Sequence, residues 1–211
     1  MENKKRKIYV VGHMAYYASW MQGELVKEMQ DADLVVFTGG EDVDPSMYDE
    51  SSNPRTFSNI DRDYSERFEF RKAKRLNKKC IGICRGAQFL CVMSGGKLIQ
   101  HQENPQYVHN ITFNTGDIIN ITSTHHQAQF PNNLPKSDYT LIAWSSKMMS
   151  KTHQNGNGDE IEIDKEAEIV RYHKTDALCI QGHPEDLNEN KYALDLTRLQ
   201  KLLDDFINNK L

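Results

Sequence analysis

One cysteine in the chain has the sequence neighbours of a nucleophile. Cys84 is the central residue of the G-x-C-x-G segment at 82–86, which lies between a strand-like run and a helix-like run. Small residues two positions away on either side allow the tight strand-to-helix turn that exposes a nucleophile. The start of the helix favours a thiolate over a thiol. The pattern predicts a reactive Cys84, with a structural cysteine in a packed turn as the alternative.

A histidine and a carboxylate follow the last strand-like run of the chain. His183 and Glu185 lie two residues apart in the Gln-Gly-His-Pro-Glu segment at 181–185, and residues two apart at a strand end point the same way. His183 would take the proton of Cys84, while Glu185 would hold the other ring nitrogen. A lone histidine is more often a surface or internally paired residue, so it is the nearby glutamate that favours a catalytic His183.

A glycine pair, Gly39 and Gly40, ends another strand-like run. Backbone N–H groups without neighbouring side chains can stabilise an oxyanion, and the N–H of Arg85 would serve as a second donor. A glycine pair after a strand is otherwise an ordinary turn. In a parallel sheet all three signals would lie at the carboxyl ends of strands, where open α/β sheets hold their active sites.

These residues need a scaffold that brings distant segments to one edge. The apolar runs 6–11 and 33–38, with a helix-like stretch near 16–29 between them, predict a β-α-β opening. The polar segment 41–60 lacks periodicity and is predicted as a loop. The other predicted elements are a helix at 62–77, a strand at 79–83, a helix at 86–93, strands at 108–112, 117–122 and 139–144, a hairpin joining 140–150 to 161–172, a strand at 176–182 and a closing amphipathic helix at 191–209.

Composition narrows the classes of protein that fit. The chain has 211 residues and a formal net charge of −4, the wrong sign for generic binding to a nucleic-acid backbone. No apolar run approaches the length of a membrane span, and the basic start MENKKRK is predicted as a frayed strand rather than a signal peptide. We expect a single domain over 1–211, without nucleic-acid or membrane partners.

The cysteines point to a reducing compartment. Besides Cys84 the chain has Cys80, Cys91 and Cys179, with neither zinc-ligand spacing nor the density of a disulfide scaffold. We therefore expect a cytoplasmic protein in which these three are small core residues. The predicted chemistry requires no metal and no organic cofactor, and no cluster of ligands suggests one.

The order of these motifs resembles one superfamily. The chain is similar to the class I glutamine amidotransferases, and within them to the gamma-glutamyl hydrolase branch, from about residue 33 to 187. The segments that carry the resemblance are FTGGEDVDPSMY, RDYSERFEF, KCIGICRGAQFL, SGGKLIQ, TSTHHQA and QGHPED. The first, second and fifth are the more specific to the hydrolase branch.

The resemblance implies a flavodoxin-like three-layer α/β/α domain, with a mostly parallel central sheet and a small antiparallel β addition. It implies a triad of Cys84, His183 and Glu185, and a γ-glutamyl thioester on the cysteine that water then cleaves. It also implies an oxyanion hole at Gly40 and Arg85. The residues that the resemblance implies in contact with a small γ-glutamyl substrate are Gly39, Gln88, His125 and His126. The alternative for Gln88 is an exposed helix residue, and the alternative for the two histidines is a place in a turn.

Two departures from that branch concern the walls of the site. The stretch between Gly12 and Asp33 is short for a full crossover and a second strand, so a strand near 24–27 would be weak. Gly182 stands where the branch has an aromatic residue, and we expect it to widen the pocket.

Several functions remain open at this stage. The first is a free-standing hydrolase of a γ-glutamyl amide, and the second is a glutaminase subunit that delivers ammonia to a separate synthetase. A third is a binding module that keeps the fold without the chemistry. An α/β-hydrolase is disfavoured because its acid precedes its histidine. The sequence leaves open the leaving amine, the pathway and the oligomeric state, a homodimer included.

Overall fold

Five parallel strands and four antiparallel strands form one continuous sheet. The computed structural model describes residues 5–12, 15–103 and 107–211. The described strands are β1 (Arg6–Val11), β2 (Gly23–Leu25), β3 (Leu34–Phe37), β4 (Lys79–Ile83), β5 (Lys97–Ile99), β6 (His101–Gln102), β7 (Val108–Phe113), β8 (Ile118–Thr122), β9 (Ala128–Phe130), β10 (Tyr139–Ser145), β11 (His153–Gln154), β12 (Ala167–Tyr172) and β13 (Ala177–Ile180).

The helices of the described residues are few and unevenly distributed along the chain. The α-helices are α1 (Ile60–Arg75), α2 (Arg85–Met93) and α3 (Ala193–Ile207), and short 3₁₀ helices cover Ala15–Met21, Met29–Asp31, Pro45–Tyr48, Pro131–Asn133 and Pro184–Asp186. Asn59 accepts a hydrogen bond from the Arg62 N–H and so caps α1. None of these helices has the length and apolar character that crossing a bilayer requires.

The strand order explains how distant motifs meet. The main sheet runs β2-β1-β3-β4-β13-β12-β10-β7-β8, in which the first five strands are parallel and the last four continue antiparallel. Strand β4 lies between β3 and β13, so the ends of these three strands are neighbours. The two-stranded ribbons β6-β11 and β5-β9 are separate additions.

Side chains alternate between the two faces of the sheet and fill two cores. Leu34 and Val36 pack with α3 and the Ala15–Met21 turn on one face, whereas Val35 and Phe37 pack with α1 and α2 on the other. This alternation is the expected period of two along a strand. The helix layers on both faces confirm the predicted three-layer α/β class.

The least accurate sequence prediction concerns the first crossover. A helix near 16–29 is wrong: the segment forms the 3₁₀ turn Ala15–Met21, the short edge strand β2 and a second 3₁₀ turn. Gly23 explains the close pairing at this edge, because a Cβ there would lie 2.8 Å from the Arg6 carbonyl oxygen. The expectation of a weak second strand is confirmed, since β2 has three residues, all exposed. Part of the predicted frayed start, 1–4, lies outside the described residues.

The remaining elements follow the predictions with shifted ends. The antiparallel half contains the predicted pairing of 140–150 with 161–172, as β10 with β12, but β12 begins only at Ala167 because residues 161–166 form an irregular segment. Helix α3 begins two residues later than predicted, with Tyr192 at its N-cap position and no side-chain capping hydrogen bond. The three cysteines that were predicted as core residues, Cys80, Cys91 and Cys179, are buried. Burial raises the pKa of Cys80 to about 12 and of Cys91 to about 12.

Candidate active site

Backbone contacts hold Cys84 in an unusual conformation at the turn between β4 and α2. Its φ is +52° and its ψ is −111°, a combination that non-glycine residues rarely adopt. Two glycines make the turn sterically allowed. A Cβ on Gly82 would lie 2.3 Å from the Gly86 carbonyl oxygen, and a Cβ on Gly86 would lie 2.1 Å from the Phe37 carbonyl oxygen. Close backbone contacts therefore explain why glycine occupies both ends of the G-x-C-x-G pattern, as the sequence predicts.

His183 lies beside Cys84 and is held by three groups. Its Nδ1 is 2.8 Å from Glu185 Oε1, and its Nε2 is 3.0 Å from Thr124 Oγ1. Its backbone N–H donates to the Thr122 carbonyl oxygen at 2.9 Å. The ring also interacts with the Cys84 thiol group, and both side chains line the same cavity. The structure thus brings together the cysteine, the histidine and the glutamate in the predicted order.

The surroundings of His183 favour its charged form. Burial lowers the pKa of the ring, but the hydrogen bonds to Cys84 and Glu185 outweigh this effect and raise the pKa of His183 to about 10. Burial raises the pKa of Glu185, against the opposing hydrogen bond from His183. The Glu185 side chain is wholly buried, and its Oε2 has no hydrogen-bond partner in the described part of the chain. An imidazolium next to sulfur is the state in which a thiolate is stabilised.

Cys84 and His183 open into a small cavity of about 250 Å³. Pockets for drug-sized ligands usually measure about 300–1,000 Å³, so this cavity suits a smaller group. The residues that line it are Tyr17, Gly40, Asp42, Cys84, Gln88, Thr124, His125, His126, Gln127 and His183.

The two predicted oxyanion donors belong to the glycine loop and to the first turn of α2. Gly40 lines the cavity and has a φ of +144°, which a residue with a side chain rarely adopts. Arg85 is the first residue of α2, and the first N–H groups of a helix have no acceptor within that helix. Gly39 packs against Tyr17, whose hydroxyl oxygen would be 2.5 Å from a Cβ at this position. Gly39 therefore borders the cavity through Tyr17 rather than directly.

Gln88 is buried in the cavity wall, not exposed on its helix. Its Nε2 donates to the Gln127 carbonyl oxygen at 2.8 Å, and the Gln88 side chain is buried. Its Oε1 has no partner among the described residues, and the same is true of Gln127 Oε1. Buried polar atoms are normally hydrogen-bonded, so these two acceptors are exceptions in the lining of the cavity.

The two neighbouring histidines of the wall have different environments. His125 is buried, its Nδ1 lies 2.8 Å from the Gln127 carbonyl oxygen, and burial lowers its pKa to about 4. His126 is more exposed and its Nε2 lies 3.1 Å from Asp42 Oδ2. His125 is therefore neutral at physiological pH and suits a hydrogen-bonding role rather than an ionic one.

A chain of hydrogen bonds orients His126 from outside the cavity. Arg55 can only donate, so His101 Nε2, 2.5 Å from the guanidinium, is the acceptor. The His101 proton is then on Nδ1, which lies 3.5 Å from His126 Nδ1. The proton of His126 is therefore on Nε2 and is donated to Asp42. In this arrangement His101 accepts from Arg55, and His126 donates to Asp42.

Gly182 differs from its expected role. It does not line the cavity, and a Cβ there would lie 2.5 Å from the Thr122 carbonyl oxygen. The expectation that Gly182 widens the pocket is wrong, because strand β8 packs directly against its backbone and occupies the space of a side chain.

Sequence analysis missed four residues that contribute to the cavity. They are Tyr17, Asp42, Thr124 and Gln127. Three of them stand inside segments that carried the resemblance, Asp42 in FTGGEDVDPSMY and Thr124 and Gln127 in TSTHHQA. Tyr17 lies outside these segments; its ring centroid is 6.0 Å from that of His183, and burial raises its pKa to about 12. Within the described ranges no group of three or more His, Cys, Asp or Glu side chains is arranged so that it could hold a metal ion.

Comparison with known proteins assigns the family. The Peptidase C26 family profile matches residues 18–185. The chain belongs to the Peptidase C26 family. The glutamine amidotransferase-like protein YvdE of Lactococcus lactis subsp. lactis is 30% identical over 161 residues, 72% of this chain and 66% of YvdE. The chain thus spans slightly less than two thirds of that relative.

Solved structures support the same fold for this Peptidase C26 member. A glutamine amidotransferase from Thermotoga maritima superposes with a TM-score of 0.55 at 13% identity, covering 96% of this chain and 95% of that one. A chain of PurLQS from the same organism gives a TM-score of 0.57 at 18% identity, covering 86% and 88%. At these identities the likeness concerns the fold alone.

Proposed function

We propose that the chain is a cysteine-dependent hydrolase of a γ-glutamyl amide. The observation that carries the proposal is the contact of His183 with both Cys84 and Glu185 at one wall of a small cavity. Membership of Peptidase C26 and similarity to glutamine amidotransferase-like relatives support hydrolysis of a C–N bond by a thiol.

The proposed reaction has two halves. The Cys84 sulfur attacks the γ-carbonyl carbon, and the carbonyl oxygen takes the negative charge beside the N–H groups of Gly40 and Arg85. The C–N bond breaks as His183 gives its proton to the leaving amine, which leaves a γ-glutamyl thioester on Cys84. His183 then takes a proton from water, whose oxygen attacks the thioester, and glutamate and the free thiol result.

The cavity wall supports a substrate that carries an ammonium group. Gln88 Oε1 and Gln127 Oε1 are acceptors without partners in the described residues, and the carboxylate of Asp42 also lines the cavity. An ammonium group donates three hydrogen bonds and carries a positive charge, which such a wall would stabilise. A γ-glutamyl group presents one such ammonium at its α-carbon.

The names of the relatives also favour a second candidate, a glutaminase subunit that passes ammonia to a synthetase. YvdE is described as glutamine amidotransferase-like. This reaction shares the first half above, with glutamine as the substrate and ammonia as the leaving group. The two candidates differ in whether the chain needs a partner for turnover.

Turnover by the purified chain distinguishes them. A panel of γ-glutamyl amides and glutamine is incubated with the wild-type chain, Cys84→Ala and the matched control Cys80→Ala, and glutamate release is measured. We expect one or more amides to be cleaved without a partner by wild type and Cys80→Ala but not by Cys84→Ala. Turnover that needs cell lysate and glutamine would favour the subunit, and turnover by Cys84→Ala would exclude the thiol mechanism.

A further inference from the structure

Arg62, near the start of α1, contacts the glycine loop and is not part of the lining of the Cys84 cavity. Its Nη2 donates to the Gly39 carbonyl oxygen at 2.9 Å, and its Nη1 donates to Glu41 Oε2 at 2.5 Å. Its Nε donates to Glu66 Oε1 at 2.8 Å. A Cβ on Gly40 would lie 2.1 Å from Arg62 Nη1, so the guanidinium fills the space that a side chain on this residue would need.

The contact with Gly39 determines the direction of the next N–H group. The carbonyl of Gly39 and the N–H of Gly40 belong to one peptide unit, which is planar and trans, so the oxygen and the hydrogen point in opposite directions. Because the oxygen points at Arg62, the N–H of Gly40 points away from it. A peptide between two glycines has few steric restraints of its own, and an external hydrogen bond is therefore what holds its orientation.

Two cavities border the Gly39–Gly40 loop, and their linings differ in whether they include Arg62. Arg62 lines a cavity of about 640 Å³ together with Gly39 and Gly40. Gly40 also lines the Cys84 cavity, which Arg62 does not. Gly40 is therefore shared by the two cavities, and its N–H points away from the guanidinium. In the described part of the chain this N–H donates to no acceptor.

A single carboxylate connects Arg62 to the second proposed donor. Glu66 accepts from Arg62 through Oε1 and from the Arg85 guanidinium through Oε2. The Arg85 side chain also pairs with Asp63 and is nearly inaccessible to solvent. Removing one member of such a buried network leaves a charge without compensation. Helix α1 therefore contacts both donor segments: Arg62 bonds the Gly39 carbonyl oxygen, and Glu66 and Asp63 bond the Arg85 side chain.

We propose that Arg62 is a positioning residue: its guanidinium holds the Gly39–Gly40 peptide so that the Gly40 N–H faces the oxyanion formed at Cys84. The inference rests on the proposed hydrolysis at Cys84. The chain then orients its own oxyanion donor, and hydrolysis needs no partner protein to do so.

Two reactions of the same cysteine test the proposal. Thioester formation develops an oxyanion, whereas alkylation by iodoacetamide displaces iodide at a saturated carbon and develops none. We compare wild type with Arg62→Met and Arg62→Lys, and with Arg71→Met as the control at an exposed arginine of the same helix. The lysine variant keeps the charge but not the planar fork that reaches several acceptors.

We expect kcat on the cleaved γ-glutamyl amide to fall by about 10²-fold in both Arg62 variants, the lower range for loss of one oxyanion donor. KM should change little, and iodoacetamide should alkylate Cys84 at the wild-type rate in every variant. Wild-type kcat in the Arg62 variants would overturn the proposal. A matching loss of alkylation would also overturn it, because the cysteine itself would then be disturbed.

The two failures are distinguishable. If wild type neither cleaves a γ-glutamyl amide nor reacts with a diazo-ketone glutamine analogue, the proposed function fails and the Arg62 comparison has no substrate. If wild type is active and the Arg62 variants are equally active, only the positioning role fails.

Discussion

The strand-to-helix turn at 82–86, called the elbow below, and the cavity wall formed by Gln88 and residues 123–127 are held in place by different means. At the elbow, backbone meets backbone: Gly82 and Gly86 lie where a Cβ would approach carbonyl oxygens within 2.3 Å and 2.1 Å. In the wall, side-chain hydrogen bonds to distant residues decide the positions, such as Gln88 to Gln127 and His126 to Asp42. We therefore expect substitutions of the elbow glycines to be poorly tolerated, whereas substitutions in the wall should have effects of different sizes.

This difference separates chemistry from selectivity. The rigid elbow and the strand ends next to it would fix the nucleophile, the base and the oxyanion donors. The wall contributes hydrogen-bond acceptors and imidazole rings to the cavity. Because side-chain hydrogen bonds hold these groups, we expect that each can be replaced without a change in the backbone. We expect elbow substitutions to alter kcat or folding and wall substitutions to alter KM.

Cys84→Ala should produce the largest effect on turnover. Without the thiol no thioester forms, and kcat should fall by on the order of 10⁴-fold or more. The side chain is small, so the melting temperature should stay close to that of wild type. Steady-state kinetics and thermal unfolding measure the two effects, and substantial residual turnover would refute the nucleophile.

Gly86→Ala should destabilise the elbow itself. The added methyl group would meet the Phe37 carbonyl oxygen, and overpacking against backbone costs about 3 kcal/mol. Gly116→Ala is the matched control, because nothing lies within 4 Å of its Cβ position and only its φ of +93° opposes alanine. Chemical denaturation should show ~1 kcal/mol for the control. Equal losses would mean that close packing does not define the elbow.

Glu185→Gln should shift the pH dependence of turnover. Its hydrogen bond helps raise the pKa of His183 to about 10, so without it the pKa falls and the ring loses its proton at lower pH. Turnover needs the imidazolium, and the alkaline limb of the kcat profile should therefore move to lower pH. We also expect kcat to fall by about 10²-fold. An unmoved alkaline limb would contradict the role of Glu185.

Gln88→Met tests the wall. The variant removes both the hydrogen bond to Gln127 and a buried acceptor without a partner among the described residues. Loss of one such contact to a charged group costs about 1.5 kcal/mol, or about tenfold in KM. Gln30→Met, at an exposed glutamine, serves as the control. A fall in kcat with unchanged KM would place Gln88 with the elbow instead.

His126→Gln should have the smallest effect. The glutamine amide nitrogen can take the place of Nε2 and still donate to Asp42, and the position is about a third exposed. We expect KM within about threefold of wild type, as for most partly exposed substitutions. A loss comparable to that of Glu185→Gln would show that the hydrogen-bond chain from Arg55 takes part in the chemistry.

The same contrast explains what the sequence could predict. The elbow was predictable because its requirement is local: two glycines and a nucleophile within five residues. Thr124 and Asp42 were not, since their positions depend on His183 and His126, which are far away in sequence. The helix near 16–29 failed because the short crossover must return to the edge of β1, which a 3₁₀ turn and three strand residues accomplish.

The most direct test is intact-mass spectrometry of the chain after incubation with a diazo-ketone glutamine analogue, using wild type and Cys84→Ala. Such an analogue is recognised as a γ-glutamyl group and alkylates the thiol that attacks it. The proposed hydrolysis at Cys84 predicts one adduct on wild type, located at Cys84 by peptide mapping, and none on the variant. No adduct on wild type, or the same adduct on Cys84→Ala, would contradict this.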